Sequence, residues 1–233
     1  VTCSVEAVRA SSTGGTWSVE GSGPEGHPFV VEARLVVLCT NRRLGRPRDL
    51  TFDGEESFGG VIHRGLGGDA EPMGEVWGRT LVVGMGAYAL EHLRTALERG
   101  APRATILCRR RGVVCPQVID WVNFVRPVRP DFSKDPSGNA VVQLAWSKTY
   151  QRSGATVPEC WKQRVRLLKP DGHTVSTSDL FFVAHYMRVA GTLLGEVERV
   201  VPEGVVTDAC GEAPGETLAC EVIVKCVGFH ENA

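Results

Sequence analysis

The chain has 233 residues, 42% of them hydrophobic, and a formal net charge of -1, enough for one large or two small globular domains with a real core. Near-neutrality gives no reason for a charge-driven partner and argues against nucleic acid as the main ligand. No apolar run approaches bilayer length and the polar start VTCSVEAVRASSTGG lacks a signal-peptide core, so we expect a soluble, intracellular protein, cytoplasmic or organellar, without a membrane span.

Residues 1–41 read as a β-meander. Thr16 to Val19 is one strand, GSGPEGHP turns, and Phe29 to Thr40 is a long apolar strand. Residues 42–76 are rich in Gly, Arg and Pro and read as a connector. Leu81, Val82 and Val83 then form an apolar, β-branched run suited to a parallel strand covered on both faces.

Gly84, Met85, Gly86, Ala87, Tyr88 and Ala89 follow at GxGxxA spacing. The first glycine allows the tight turn, the second lets the backbone approach a pyrophosphate, and the small Ala89 lets a helix pack closely on the strand. A helix with Leu90, Leu93 and Leu97 on one face and Gly100 as its stop presents its N-terminus to the anion. Ala104 to Cys108 is the second strand. At its tip, where a carboxylate would take the ribose hydroxyls, stand Arg109, Arg110 and Arg111, whose forked guanidinium groups suit a 2′-phosphate. The pattern predicts NADPH rather than NADH.

Downstream, Pro116 opens a helix carrying Val118, Ile119, Val122 and Val125 at helical intervals, and VRPVRPDFSKDPSG breaks regularity before a helical insertion. Another helix begins at Ser178, with Phe182, Tyr186, Val189 and Leu193 on a stripe. Val205 and Val206 start a strand, and Glu221 to Val227 forms the last one. The fold class is α/β: a Rossmann-type parallel sheet with helices on both faces, plus a small β-rich N-terminal segment.

None of the eight cysteines forms a CxxC pair and the histidines make no compact metal set, so no metal is expected. His185 reads as a satisfied structural histidine. Tyr88, Tyr150 and Tyr186 lack a lysine four residues later, which excludes the Tyr-x-x-x-Lys chemistry of short-chain dehydrogenases. We assign no catalytic side chain.

Four features in fixed order resemble the flavin-containing monooxygenases and related flavoproteins with two dinucleotide-binding domains, from about Phe29 to Phe229. These are ARLVVLCTN, similar to an ATG-type exit from the flavin domain; SFGGVIHRG, with His63, similar to FxGxxxHS; VVGMGAYA with CRRR; and CEVIVKCVGF, similar to the second ATG-type crossing. The resemblance implies that 1–41 belongs to a partial flavin domain, that 77–220 is the NADPH-binding domain, and that 221–233 returns to the flavin domain. Leu35 to Thr40 would be the outward strand. Thr40, Cys226 and Gly228 become candidate neighbours of FAD. The only glycine-rich segment near the start, GSGPEG, lies in a turn and opens no helix, so the FAD site is expected to be incomplete in this chain. The activity implied is that of a portion of an NADPH- and FAD-dependent oxidoreductase, with a complementary chain completing the flavin domain. The competing expectations are an NADPH-dependent reductase without oxygenation and a non-catalytic nucleotide-binding or scaffold subunit.

Overall fold

A computed structural model describes residues 3–12, 14–37, 48–65, 78–123, 136–158, 175–208 and 211–229. The chain divides into two compact units, one of residues 1–44 with 232–233 and one of residues 45–231.

In the smaller unit, β1 (Ser4–Ala10), β2 (Trp17–Ser22) and β3 (Pro28–Ala33) form an antiparallel sheet in that order. A short 3-10 turn, Pro24–Gly26, joins β2 to β3 within the expected GSGPEGHP turn. Gly21 is buried, and a side chain there would overlap the Ser4 carbonyl and the Phe29 ring, so the position takes glycine. The long strand expected over Phe29 to Thr40 ends at Ala33. Leu35 and Val37, 77% and 72% exposed, lie outside any strand. Apolar composition alone does not make a strand without a partner to pair with. The remainder of that outward strand, including Cys39 and Thr40, lies outside the described residues.

The larger unit is built on a five-stranded parallel sheet. Its strands are β4 (Val61–Arg64), β5 (Thr80–Val83), β6 (Ala104–Cys108), β9 (Ala190–Leu194) and β13 (Val222–Lys225), in the order β4-β13-β5-β6-β9. The stretch read as a connector thus contributes an edge strand, β4, paired in parallel with β13. Around this sheet run α1 (Ala87–Glu98), β7 (Val113–Cys115), α2 (Gln117–Asn123), α3 (Pro136–Ser153), β8 (Val175–Thr177) and α4 (Asp179–Tyr186). Between β9 and β13 come β10 (Val197–Val201), β11 (Gly204–Thr207) and β12 (Thr217–Ala219).

Alternation along the strands creates two cores. Val82, Ile106 and Val224 face a cluster with Ala89, Leu90 and Leu93 of α1, Trp146 and Tyr150 of α3, and Phe181 and Phe182 of α4. Leu81, Leu107 and Ile223 face the other way, onto Val200 and Val205 with Phe52, Phe58 and Leu218 around them. The second face is therefore covered by the antiparallel sheet β10-β11-β12, and the helices of the first cluster lie on one face. The parallel α/β core matches expectation, and among the described residues the layer over its second face is the β-meander β10-β11-β12.

Local signals explain the boundaries. Ser178 caps α4 by accepting from the Phe181 N–H at 3.2 Å, as its sequence position suggests. The helix expected to carry its stripe to Leu193 ends at Tyr186, because Arg188 adopts φ 60, and Leu193 belongs to β9. Tyr150 is fully buried: its hydroxyl accepts from Val114 N–H at 2.9 Å, while Trp146 Nε1 donates to Val114 O at 2.7 Å. Two aromatic side chains thus satisfy both backbone groups of the middle residue of β7.

Candidate functional site

The chain runs from β5 through β6 to β9 in one direction across the sheet, whereas β13 lies on the other side of β5. At such a reversal the loops leaving neighbouring strands part, and a crevice opens at the carboxyl ends. A cavity of about 950 Å3 occupies this place. Its walls come from every strand end involved: Val83, Gly84 and Met85 after β5, Leu107 to Arg110 after β6, Gly195 to Val197 after β9, and Cys226 and Val227 after β13. Arg48 to Leu50 and Phe52 close another side.

The two glycines of the turn serve different constraints. Gly84 has φ 111, and a side chain there would collide with the Cys226 carbonyl, so β5 and the segment after β13 approach closely only because this residue is glycine. Its N–H donates to Leu107 O at 2.8 Å. Gly86 has ordinary φ, -105, and nothing stands within 4 Å of where a Cβ would be. It is the N-cap of α1 and no side chain caps the helix. The first turn carries no acidic residue, so no carboxylate neutralises its N–H groups or the positive end of the helix dipole; Gly84 and Met85 line the cavity, whereas Gly86, Ala87 and Tyr88 do not. Ala87 is exposed, and Ala89 is wholly buried against the sheet as the close-packing role requires. The Tyr88 ring lies 5.9 Å from that of Phe229.

The three arginines separate. Arg109 and Arg110 are exposed and line the cavity. Arg111 turns inward, 3% exposed, into an ion pair with Glu212, whose Oε2 accepts from Leu194 N–H at 3.0 Å. It ties the loop after β6 to the β11–β12 loop and, through Glu212, to the end of β9.

On the opposite wall Cys226 donates its N–H to Val83 O at 2.8 Å, and burial pushes its thiol up to about 12. Gly228 has φ 81 with open space beside it, and its carbonyl accepts from Arg48 N–H at 3.0 Å. Thr40, the third candidate flavin neighbour, lies outside the described residues. His63 sits half-buried on β4 and does not line the cavity. It lies near enough to His92 of α1 to oppose that residue's protonation, which burial already disfavours.

Sequence reasoning missed the β9–β10 turn, the Asp49 to Phe52 wall and the buried pair that fastens it. Lys225 Nζ lies 3.0 Å from Glu55 Oε1 and donates to Leu50 O at 2.8 Å. A lysine at the end of an apolar strand was the available signal, since such a residue is rarely buried without a partner.

No protein-family model matches the sequence, and no curated protein sequence does. Solved structures do match. An oxidized steroid monooxygenase bound to NADP aligns with 98% of this chain at TM-score 0.55 and 15% identity, and 52% of that protein is covered. OTEMO in complex with FAD and NADP aligns with 98% of the chain at TM-score 0.54 and 17% identity, again over 52% of its length. Cyclohexanone monooxygenase from Rhodococcus sp. Phi1 bound to NADP+ aligns with 97% at TM-score 0.52 and 14% identity, over 51% of its length. The chain thus spans about half the length of these structures, and among its described residues no helix is long and apolar enough to cross a membrane. At such identities the likeness is one of fold, and this chain has, over about half their length, the fold of these monooxygenases, the kind of protein its four motifs resemble.

Proposed function

We propose that the chain is the NADPH-binding portion of an FAD-dependent oxidoreductase of the monooxygenase kind. The observation that carries this reading is the cavity at the strand reversal, lined by Gly84 and Met85 of the turn that leads into the uncapped N-terminus of α1 and by the two exposed arginines Arg109 and Arg110. The pyrophosphate of NADPH fits the first turn of α1, where the backbone is accessible and nothing anionic competes. Arg109 and Arg110 would engage the 2′-phosphate, Met85 and Tyr88 flank the turn, and Ala87 and Ala89 keep the helix start narrow.

The described residues fit FAD in part only. Cys226 lines the cavity and Gly228 follows two residues later, the two candidate flavin neighbours among the described residues. The glycine-rich segment Gly21 to Gly26 lies in a hairpin and opens no helix, so a cradle for the FAD pyrophosphate belongs to a complementary chain or segment. When bound, the pair supplies hydride transfer from NADPH to flavin and oxygen activation by the reduced flavin, for oxygenation of a small substrate. This chain's residues then bind and orient NADPH. That no such cradle occurs among the described residues is also what favours the second reading, a nucleotide-binding or scaffold subunit without catalysis.

The test is a titration of the purified chain with NADPH and NADH, followed by protein fluorescence, alongside an absorbance spectrum. Replacing Arg109 and Arg110 by Ala should weaken NADPH by about tenfold or more and NADH little, since each lost charge-assisted bond contributes about 1.5–3 kcal/mol before solvent screening. Equal loss of both nucleotides would refute the phosphate assignment. Flavin that copurifies and is bleached by NADPH supports the oxidoreductase; a colourless chain that binds NADPH and reduces no added FAD supports the scaffold reading.

A further inference from the structure

Arg109 has a carboxylate for company at the cavity rim. Its Nε lies 3.4 Å from Glu196 Oε1, and Arg109, Arg110 and Glu196 all line the cavity. Glu196 follows β9, and its position does not depend on its own side chain. Its backbone N–H donates to Asp208 Oδ1 at 2.9 Å, and its carbonyl accepts from the Asp208 N–H at 3.0 Å. The preceding Gly195 has φ 157, and a Cβ there would sit 3.0 Å from the same Asp208 oxygen. Backbone geometry and Asp208 therefore build this turn, and the Glu196 side chain, 55% exposed, is left free to meet the guanidinium. An exposed pair of this kind adds little to stability, so its consequence is for what binds in the cavity.

We propose that Glu196 is a specificity-determining residue. It is the resident counter-ion of Arg109, which a 2′-phosphate has to displace and a plain 2′-hydroxyl does not. This rests on the reading of the cavity as a dinucleotide site. A phosphate dianion approaching Arg109 meets the Glu196 carboxylate as a like charge, which weakens NADPH. The ribose of NADH feels no such repulsion, and its hydroxyls can donate to the carboxylate. Glu196 thereby narrows the preference that Arg109 and Arg110 create, leaving a site able to accept both nucleotides.

The experiment measures dissociation constants of NADPH and NADH on the full chain carrying Glu196→Gln, at low and at raised salt. The expected result is that NADPH binds about threefold to tenfold more tightly, that NADH is unchanged or weaker, and that the gain shrinks as salt screens it. The thermal midpoint should not move, and the gain should vanish on an Arg109→Ala background. Unchanged or weaker NADPH binding in Glu196→Gln, with Arg109→Ala still weakening NADPH, would overturn the role of Glu196 and leave the NADPH site standing. A gain that persists without Arg109 would overturn it too. A wild-type chain that binds no NADPH would overturn the site itself.

Discussion

The two glycines of one turn should respond oppositely to the same substitution. At Gly84, alanine meets φ 111 and a backbone carbonyl inside the 3.0 Å that real Cβ contacts essentially never breach. The strained backbone costs about 1–2 kcal/mol. Forcing β5 away from the segment after β13 costs about 1–3 kcal/mol more by analogy with an overpacked core. The stiffer unfolded chain returns only about 0.4–1 kcal/mol. The net destabilisation is about 1–5 kcal/mol, which for an m-value of about 2 kcal/mol/M shifts the urea midpoint down by about 0.5–2.5 M. At Gly86, φ -105 suits alanine and the space is empty. There the entropic gain of about 0.4–1 kcal/mol roughly cancels the poorer N-cap. Gly86→Ala should therefore keep the midpoint while losing NADPH affinity by about tenfold, near 1.4 kcal/mol, because the methyl group occupies the approach to the helix N-terminus. Urea unfolding and nucleotide titration on both variants make the comparison. A Gly84→Ala protein as stable as wild type, or a Gly86→Ala protein that binds NADPH normally, would refute the division of labour between them.

Other outcomes follow from the buried polar groups. Removing the Tyr150 hydroxyl with Tyr150→Phe strands the Val114 N–H and should cost about 1–3 kcal/mol, read as a fall in Tm; an unchanged Tm would show that this bond contributes nothing. Burial lowers the pKa of His185, whose Nδ1 lies 2.7 Å from Phe181 O and Nε2 3.0 Å from Thr192 Oγ1. The unfolded chain then takes up the proton first, so stability is full above the ordinary histidine value of about 6.5 and falls as pH drops from there toward the depressed folded value. His185→Gln should flatten that slope, although His92, lowered in the same direction, keeps part of it; an unaltered slope argues against His185. Cys115, Cys220 and Cys226, each pushed up to about 12 chiefly by burial, should resist alkylation at pH 8 in the native chain while exposed Cys3 reacts, and mass spectrometry showing early modification of Cys226 would contradict the packing of the cavity wall.

What the sequence determined by itself is the run from Thr80 to Cys108. Its signals are local: an apolar strand, glycines where the chain must turn tightly and stay open, leucines at helical spacing, and a second strand. Each is decided by neighbours within a few residues, and together they locate Gly84, Gly86 and Ala89 without knowledge of the rest. The capping serine of α4 was legible for the same reason. Tertiary structure alone decided the fate of the three arginines, because Arg111 is drawn inward by Glu212, a residue 101 positions away. It also decided that the connector supplies an edge strand, that Arg188 ends α4 before the stripe runs out, and that a β-meander covers the second face. The same holds for the cavity, whose walls are assembled from five separated stretches between Arg48 and Val227. A strand end carries no local mark of which loops it will meet. That meeting depends on strand order, and strand order is settled by which apolar faces find cover, a sum over the whole chain.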